Sequence, residues 1–475
     1  MRILQVSAEL FPLLKTGGLA DVAGALPLAL AAAGEDVRVL LPGFPALRAG
    51  VRHAAQVAEF RAPWGETARL VYGHIELNAR QRIGTYLIDA PALYDRPGNP
   101  YEDANRQPYG DNHRRFALLG WAAAQLAQGL DGHWHPEVVH AHDWHAALAP
   151  AYLAHAPGGA RARSVFTIHN LAYQGLFPHA VAPLLGIPDA AREDLEFYGQ
   201  MSFLRGGIVH AAHVNTVSVS YAAQITLPAM GCGLDRLLAR RAAAGGLTGI
   251  LNGIDASWDP STDNHLQAHF NLHDWAGRQA NARQVRREFG LPERDGPLFA
   301  VVSRLVHQKG LDLICEVAPQ IVAAGGQIVV IGGGEPQIEQ SVLALTRRYP
   351  GHVGAFIGFE EQLARRMFAG SDFLLMPSRF EPCGLSQMYA QRFGSLPIAH
   401  ATGGLIDTVD DGVTGFLFQE PSADALRRCL ARAFRTFRLP GLIQAMRRAA
   451  MLKPSGWDVA GSKYLALYDR TAALA

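Results

Sequence analysis

Two stretches of this chain begin alike, one at the amino terminus and one past the midpoint. Residues 3–18 read ILQVSAELFPLLKTGG and residues 299–312 read FAVVSRLVHQKGLD. Each runs from an apolar segment through a polar loop to a lysine beside glycine where a helix opens. A short apolar run flanked by polar residues is a buried strand, and a strand followed by a helix is half of a parallel βαβ unit. A sequence that starts this unit twice is constrained to two α/β domains, each presenting a ligand face at the carboxyl ends of its strands.

The rest of the chain continues the alternation. Apolar runs at 2–9, 35–42, 83–90, 136–142, 162–170 and 211–218 are separated by helical patterns, and after ARQVRREFG (282–290) the series restarts at 297–305, 327–334, 352–359, 372–378, 396–401 and 414–419. The first series predicts a parallel sheet covered by helices. A composition break at RRAAAGGLTG (240–249) separates the two series. The expected division is 1–245 for a first Rossmann-like domain and 246–455 for a second. Residues 456–475 form a final helix that returns to the first, because Trp457, Ala460, Tyr464, Leu467 and Tyr468 fall at helical spacing.

With 475 residues, a 49% hydrophobic and 18% charged composition and a formal net charge of +1, the chain reads as a water-soluble protein with large cores. No long run of one charge gives a nucleic-acid footprint. Four scattered cysteines with no C-x-x-C suit a reducing cytoplasm. Glu9, inside the first apolar stretch, makes a poor signal peptide. The uncharged stretch 116–130 is too short for a bilayer, so no membrane role is expected.

Any cationic site must therefore be focal. Two facing sheets would bring Lys15, Arg304 and Lys309 into one cleft, an arrangement suited to a diphosphate leaving group. Gly17 and Gly18 would let backbone approach a ligand at the start of the helix that contains Asp21. No D-x-D is present to hold a metal on a diphosphate, which favours neutralisation by side-chain cations and helix N-termini. Taken alone, Arg304 and Lys309 would read as surface charges, and Gly17-Gly18 as a turn.

Three other stretches carry chemistry. In PSRFEPCGLSQMYAQRFG (377–394), Glu381 sits at a strand-to-helix turn, with Gly384 and Leu385 offering N–H groups; the bland alternative is a helix-start charge. VHAHDWHA (139–146) clusters His140, His142, Asp143 and His145, but Trp144 breaks the metallo-hydrolase order, so hydrogen-bonded strand-end residues are expected and no metal. TIHNLAYQG (167–175) places His169 and Asn170 at another strand end.

KTGGLADV, HAHDWHA, TIHNLAYQG, NGID (252–255), SRLVHQKGLD and RFEPCGL, in this order, resemble bacterial glycogen synthase and plant starch synthase over essentially the whole chain. The resemblance implies two Rossmann-like domains facing across a deep cleft, the GT-B architecture. It also implies transfer of glucose from ADP-glucose to the non-reducing 4-OH of glycogen or another α-1,4-glucan, with retention and with neither metal nor cofactor. On the same basis Lys15 with Gly17 and Gly18 contacts the donor, and Arg304 and Lys309 hold its diphosphate. Glu381 lies by the donor glucose, with Cys383, Gly384 and Leu385 lining the sugar and phosphate site. His169 and Asn170 flank the anomeric centre, and Asp21, Tyr94, Asp143 and Asn252 line the glucose and acceptor region. Phe359 stands where the family often has a tyrosine stacked on adenine.

Two departures stand out. Wider relatives of the fold carry E-x7-E with a ribose-binding second glutamate, and here that position is Tyr389; HATGGLIDTVDDG (400–412) lacks expected basic residues. Rival readings are another enzyme of the same fold, such as an epimerase or a pyridoxal-dependent phosphorylase, and a non-catalytic glucan-binding protein. An absorbance scan separates the phosphorylase, and donor turnover separates the binding protein.

Overall fold

The computed structural model describes residues 1–78, 81–159 and 161–473. The chain divides into two compact units, Met1–Gly253 with Trp457–Ala475, and Ile254–Gly456. The first unit extends past the composition break at 240–249 because Leu247–Gly249 is itself the edge strand of its sheet.

That sheet has nine strands. From edge to edge they are Leu247–Gly249, His213–Thr216, Arg163–Ile168, Val138–His142, Arg2–Val6, Asp36–Pro42, Gln81–Asp89, Thr67–Asn78 and Val51–Arg61. The strands from Leu247–Gly249 to Gln81–Asp89 run parallel, and the central ones are buried along their length, as expected where helices cover a sheet. Thr67–Asn78 and Val51–Arg61 are antiparallel additions, so the sheet is mixed and not the all-parallel sheet predicted. This hairpin leaves little trace in the apolar pattern of the sequence, for a physical reason. Val51–Arg61 is mostly exposed and its pairing contains register shifts, so no clean apolar run or alternation marks it.

The second unit is a six-stranded parallel sheet, ordered Val353–Ile357, Gln327–Gly332, Leu298–Val302, Phe373–Met376, Leu396–His400 and Phe416–Phe418. Its strand order reverses at Leu298–Val302, and the loops after that strand and after Phe373–Met376 carry Lys309 and Glu381. In open sheets of this type the switch point is where ligands collect.

The final helix, Trp457–Ala472, packs in the first unit against Gly18–Ala32. Tyr464, Leu467 and Tyr468 are fully buried, and a Cβ on Gly461 would lie 3.3 Å from that of Ala29. The outgoing and returning chains are joined side by side, Ile254 N donating to Ser455 O at 2.7 Å. Among the described residues no helix is long and apolar enough to cross a membrane.

Candidate active site

In the first unit, the loop after the strand Arg2–Val6 is organised by a residue the sequence reading did not single out for function. Glu9 is buried, and its carboxylate accepts N–H groups from Thr16 at 2.7 Å and Gly17 at 3.3 Å, together with the hydroxyls of Thr16 and Tyr101. These bonds hold the K-T-G-G loop by its backbone. Lys15 leaves that loop with its Nζ 2.7 Å from Asp21 Oδ1, on the first turns of the following helix. Gly17 is extended, with φ −158°, and a Cβ there would meet nothing within 4 Å. The fold therefore does not demand glycine at this position. Its effect is to leave bare backbone next to Lys15, as a close-approaching ligand needs.

The histidine cluster lies at the ends of Val138–His142 and Arg163–Ile168. His140 bonds Tyr468 through Nδ1 at 2.7 Å and Thr167 through Nε2 at 2.6 Å. His142 bonds Gln5 through Nε2 at 2.7 Å and His169 Nε2 through Nδ1 at 3.0 Å. Their ring nitrogens are thus committed to protein partners, and among the described residues no three His, Cys, Asp or Glu side chains form a metal-binding group. Burial lowers His140, His145 and His169 to about 3 and His142 well below its ordinary value, so all four are neutral near pH 7. Asp143 adopts φ +55°, which turns its Oδ1 onto the backbone N–H groups of His169 (2.9 Å) and Asn170 (3.4 Å). Burial nonetheless pushes its carboxyl up to about 7. Tyr101, bonded to Glu9, stacks on His145 at 4.7 Å, so the Lys15 loop is tied to the short helix Asp143–Ala146, whose Asp143 holds the His169 backbone.

Tyr94 departs from the expectation. It is 1% exposed and its hydroxyl donates to the carbonyl of Arg115 at 2.7 Å, with its ring edge-on to Phe44. A phenol committed in this way belongs to the core beneath the site and lines no sugar surface. Asn252, at the end of the first unit, is buried, and its Oδ1 has no partner among the described residues.

In the second unit, Lys309 and Glu381 meet. Lys309 Nζ is 2.6 Å from Glu381 Oε2, which also accepts Ser378 Oγ at 3.0 Å. Glu381 is held from behind by the T-G-G-L loop. Gly404 N donates to Glu381 O at 3.0 Å, and Gly403, at φ +46°, comes so near that a Cβ would lie 1.9 Å from that oxygen. HATGGLIDTVDDG, which the sequence marks only for its missing basic residues, is thus the support on which Glu381 rests. Cys383 is buried and its carbonyl, like that of Gly384, accepts from Gln387 Nε2, fixing the turn that leads through Leu385 into Ser386–Arg392. Arg304 and Phe359 are exposed, Phe359 by 65%, at the ends of Leu298–Val302 and Val353–Ile357.

Residues 2–240 match the starch synthase catalytic domain family, and residues 283–436 the glycosyl transferases group 1 family. A glycogen synthase of Xanthomonas campestris pv. campestris is 66% identical over 475 residues, covering 99% of this chain and 98% of the relative. The chain belongs to the glycogen synthase family. A second member, from Pseudomonas fluorescens, is 53% identical and covers 100% of this chain and 90% of its own. Among solved structures, the catalytic domain of starch synthase IV from Arabidopsis thaliana, bound to ADP and acarbose, superposes with a TM-score of 0.86 at 30% identity, covering 99% of each chain. Sucrose-phosphate synthase from Thermosynechococcus elongatus, at 17% identity and a TM-score of 0.62 over the whole of both chains, shares the fold. Glycogen synthase family membership also gives Tyr389 a context. Where wider relatives carry a ribose-binding glutamate, this ring stacks on Trp258 at 3.7 Å, and Trp258 in turn faces the Arg365 guanidinium at 3.9 Å.

Proposed function

We propose that the protein elongates glycogen by transferring glucose from ADP-glucose to the non-reducing 4-OH of an α-1,4-glucan, with retention at the anomeric carbon. The observation that carries this reading is the Lys309–Glu381 pair, with Glu381 buried and Lys309 partly so, set where the strand order of the second sheet reverses. Breaking the glycosidic C–O bond puts negative charge on the ADP β-phosphate and positive charge on the sugar. Lys309 and Arg304 answer the first, assisted by backbone amides of Gly384 and Leu385, and Glu381 steadies the second. At ~4 Å and an effective dielectric of ~20, one cation is worth about 4 kcal/mol to the leaving group before desolvation.

On this reading the second unit is the nucleotide-sugar domain, with Phe359 offering its face to adenine and Cys383 in the wall of the sugar site. The first unit supplies Lys15, Gly17 and Gly18 to the donor. It brings His169 and Asn170 to the anomeric centre, and Asp21, Asp143 and Asn252 to the sugar and acceptor. The attacking hydroxyl, held on the face from which phosphate departs, delivers its proton there, so no enzyme nucleophile enters. The setting we assign is the cytoplasm.

The deciding assay offers glycogen with either ADP-glucose or UDP-glucose and measures the nucleotide released. The expected result is ADP release that depends on glycogen and is unchanged by EDTA. Release of UDP only, or loss of activity in EDTA restored by magnesium, contradicts the reading.

A further inference from the structure

The final helix reaches the histidine cluster through hydrogen bonds that have a direction. Gln5 Nε2 donates to the hydroxyl of Tyr468 at 3.0 Å, across 463 residues of sequence. The other end of the same amide, Oε1, is 2.7 Å from His142 Nε2. A carbonyl oxygen only accepts, so His142 carries its proton on Nε2. A neutral imidazole has one N–H, which leaves His142 Nδ1 as an acceptor. That nitrogen is 3.0 Å from His169 Nε2, which therefore donates, and the remaining nitrogen of His169, Nδ1, keeps a bare lone pair. At the far end the Tyr468 hydroxyl passes its own proton toward His140 Nδ1 at 2.7 Å, and His140 Nε2–H meets Thr167 Oγ1 at 2.6 Å.

We infer that Gln5 and Tyr468 are positioning residues that set which nitrogen of His169 carries the proton, leaving Nδ1 free to accept a hydrogen bond from a sugar hydroxyl. Among the described residues no protein atom pairs with His169 Nδ1, so this nitrogen is the one available to a ligand. The chain of bonds has two self-consistent directions. Turning the Gln5 amide by half a rotation reverses every donor and moves the His169 proton to Nδ1. The amide orientation is thus the determinant, and Tyr468 anchors its outer end. Gln5, His140, His142, Thr167 and Tyr468 are all buried, so solvent supplies no competing partner. The catalytic relevance of this tautomer rests on the glucosyl-transfer reading above; the tautomer itself does not.

The test is 15N NMR of the full-length protein labelled at histidine, with the His169 signals assigned by difference against His169→Gln. The expected wild-type spectrum has a pyrrole-type Nε2 and a pyridine-type Nδ1 for His169. Tyr468→Phe and Gln5→Met should each move the His169 proton wholly or partly to Nδ1. Both should lower kcat about three- to tenfold, the worth of one neutral hydrogen bond, while donor KM stays within about twofold. A wild-type His169 protonated on Nδ1 overturns the inference, and so does an unchanged tautomer in both variants. The wild-type spectrum decides even if Gln5→Met fails to fold. A wild type with the expected tautomer but no glycogen-dependent ADP release would instead contradict the proposed function and leave the tautomer assignment standing.

Discussion

Lys309 Nζ stands 2.6 Å from Glu381 Oε2, in a site where the two side chains are only 15% and 7% exposed. A buried ion pair of this kind has two separable consequences. It fixes the local structure, because either charge alone is costly, and it presents one cation and one anion together where charge separates during the reaction.

Glu381→Gln keeps the size and an acceptor but removes the charge. It should lower kcat and kcat/KM together by more than about a hundredfold, with little change in donor Kd. It should also lower the melting temperature, since breaking a buried pair costs up to about 3–5 kcal/mol. Adding Lys309→Met should restore the melting temperature without restoring activity. Wild-type kcat in a destabilised Glu381→Gln variant would make the carboxylate a structural charge only.

Arg304 makes the contrasting case, because its side chain is exposed. Arg304→Ala should cut turnover at least about tenfold, equivalent to ~1.4 kcal/mol of transition-state stabilisation. Its stability should stay within about 0.5 kcal/mol of wild type, as for other surface changes. Steady-state kinetics and thermal melts on one preparation check both, and normal turnover would remove Arg304 from the diphosphate site.

Glu9→Gln tests whether the K-T-G-G loop is held from beneath. A glutamine replaces a charged acceptor of two N–H groups and two hydroxyls with an amide that is half donor. Donor kcat/KM should fall about tenfold, one to two hydrogen bonds' worth, through misplacement of Lys15. A folded variant with unchanged kcat/KM would show that the loop holds its shape without the carboxylate.

The buried histidines set a pH dependence. Unfolded, each binds a proton below ~6.5; folded, His140, His145 and His169 are held at about 3 and His142 lower still. Their contribution to stability is present above pH ~6.5 and is lost as pH falls. Asp143, raised to about 7, acts in the opposite sense: its contribution is present below its unfolded value of ~3.9 and is lost as pH rises through 7. Four groups outweigh one, so the first unit should melt lower at pH 5 than at pH 7.5. His145→Phe should narrow that difference, because it keeps the stack on Tyr101 and removes one titrating ring whose Nδ1 has no partner among the described residues. Equal melting temperatures at the two pH values would contradict the burial argument.

Which of these residues were legible in the sequence follows from how locally each is determined. Lys15, Lys309 and Glu381 announce themselves as charges in polar turns directly after apolar runs, and the fold carries them to strand ends. Glu9 carries a signal too, an acid inside an apolar run, but its meaning depends on Tyr101, 92 residues away. The Gln5–Tyr468 bond has no local trace at all; the helical stripe of the tail shows that Tyr468 is buried, not what its hydroxyl meets. Tyr94 failed in the other direction: an aromatic carried over by resemblance turns out to spend its hydroxyl on a backbone carbonyl in the core.

Glucosyl transfer to a glucan is read out by its product. Purified protein, ADP-glucose and a maltooligosaccharide of defined length should yield one ADP per glucose added. The lengthened glucan should carry a new α-1,4 linkage by NMR at its non-reducing end. Free glucose released in place of a lengthened chain, or a new linkage of β configuration, would contradict the account.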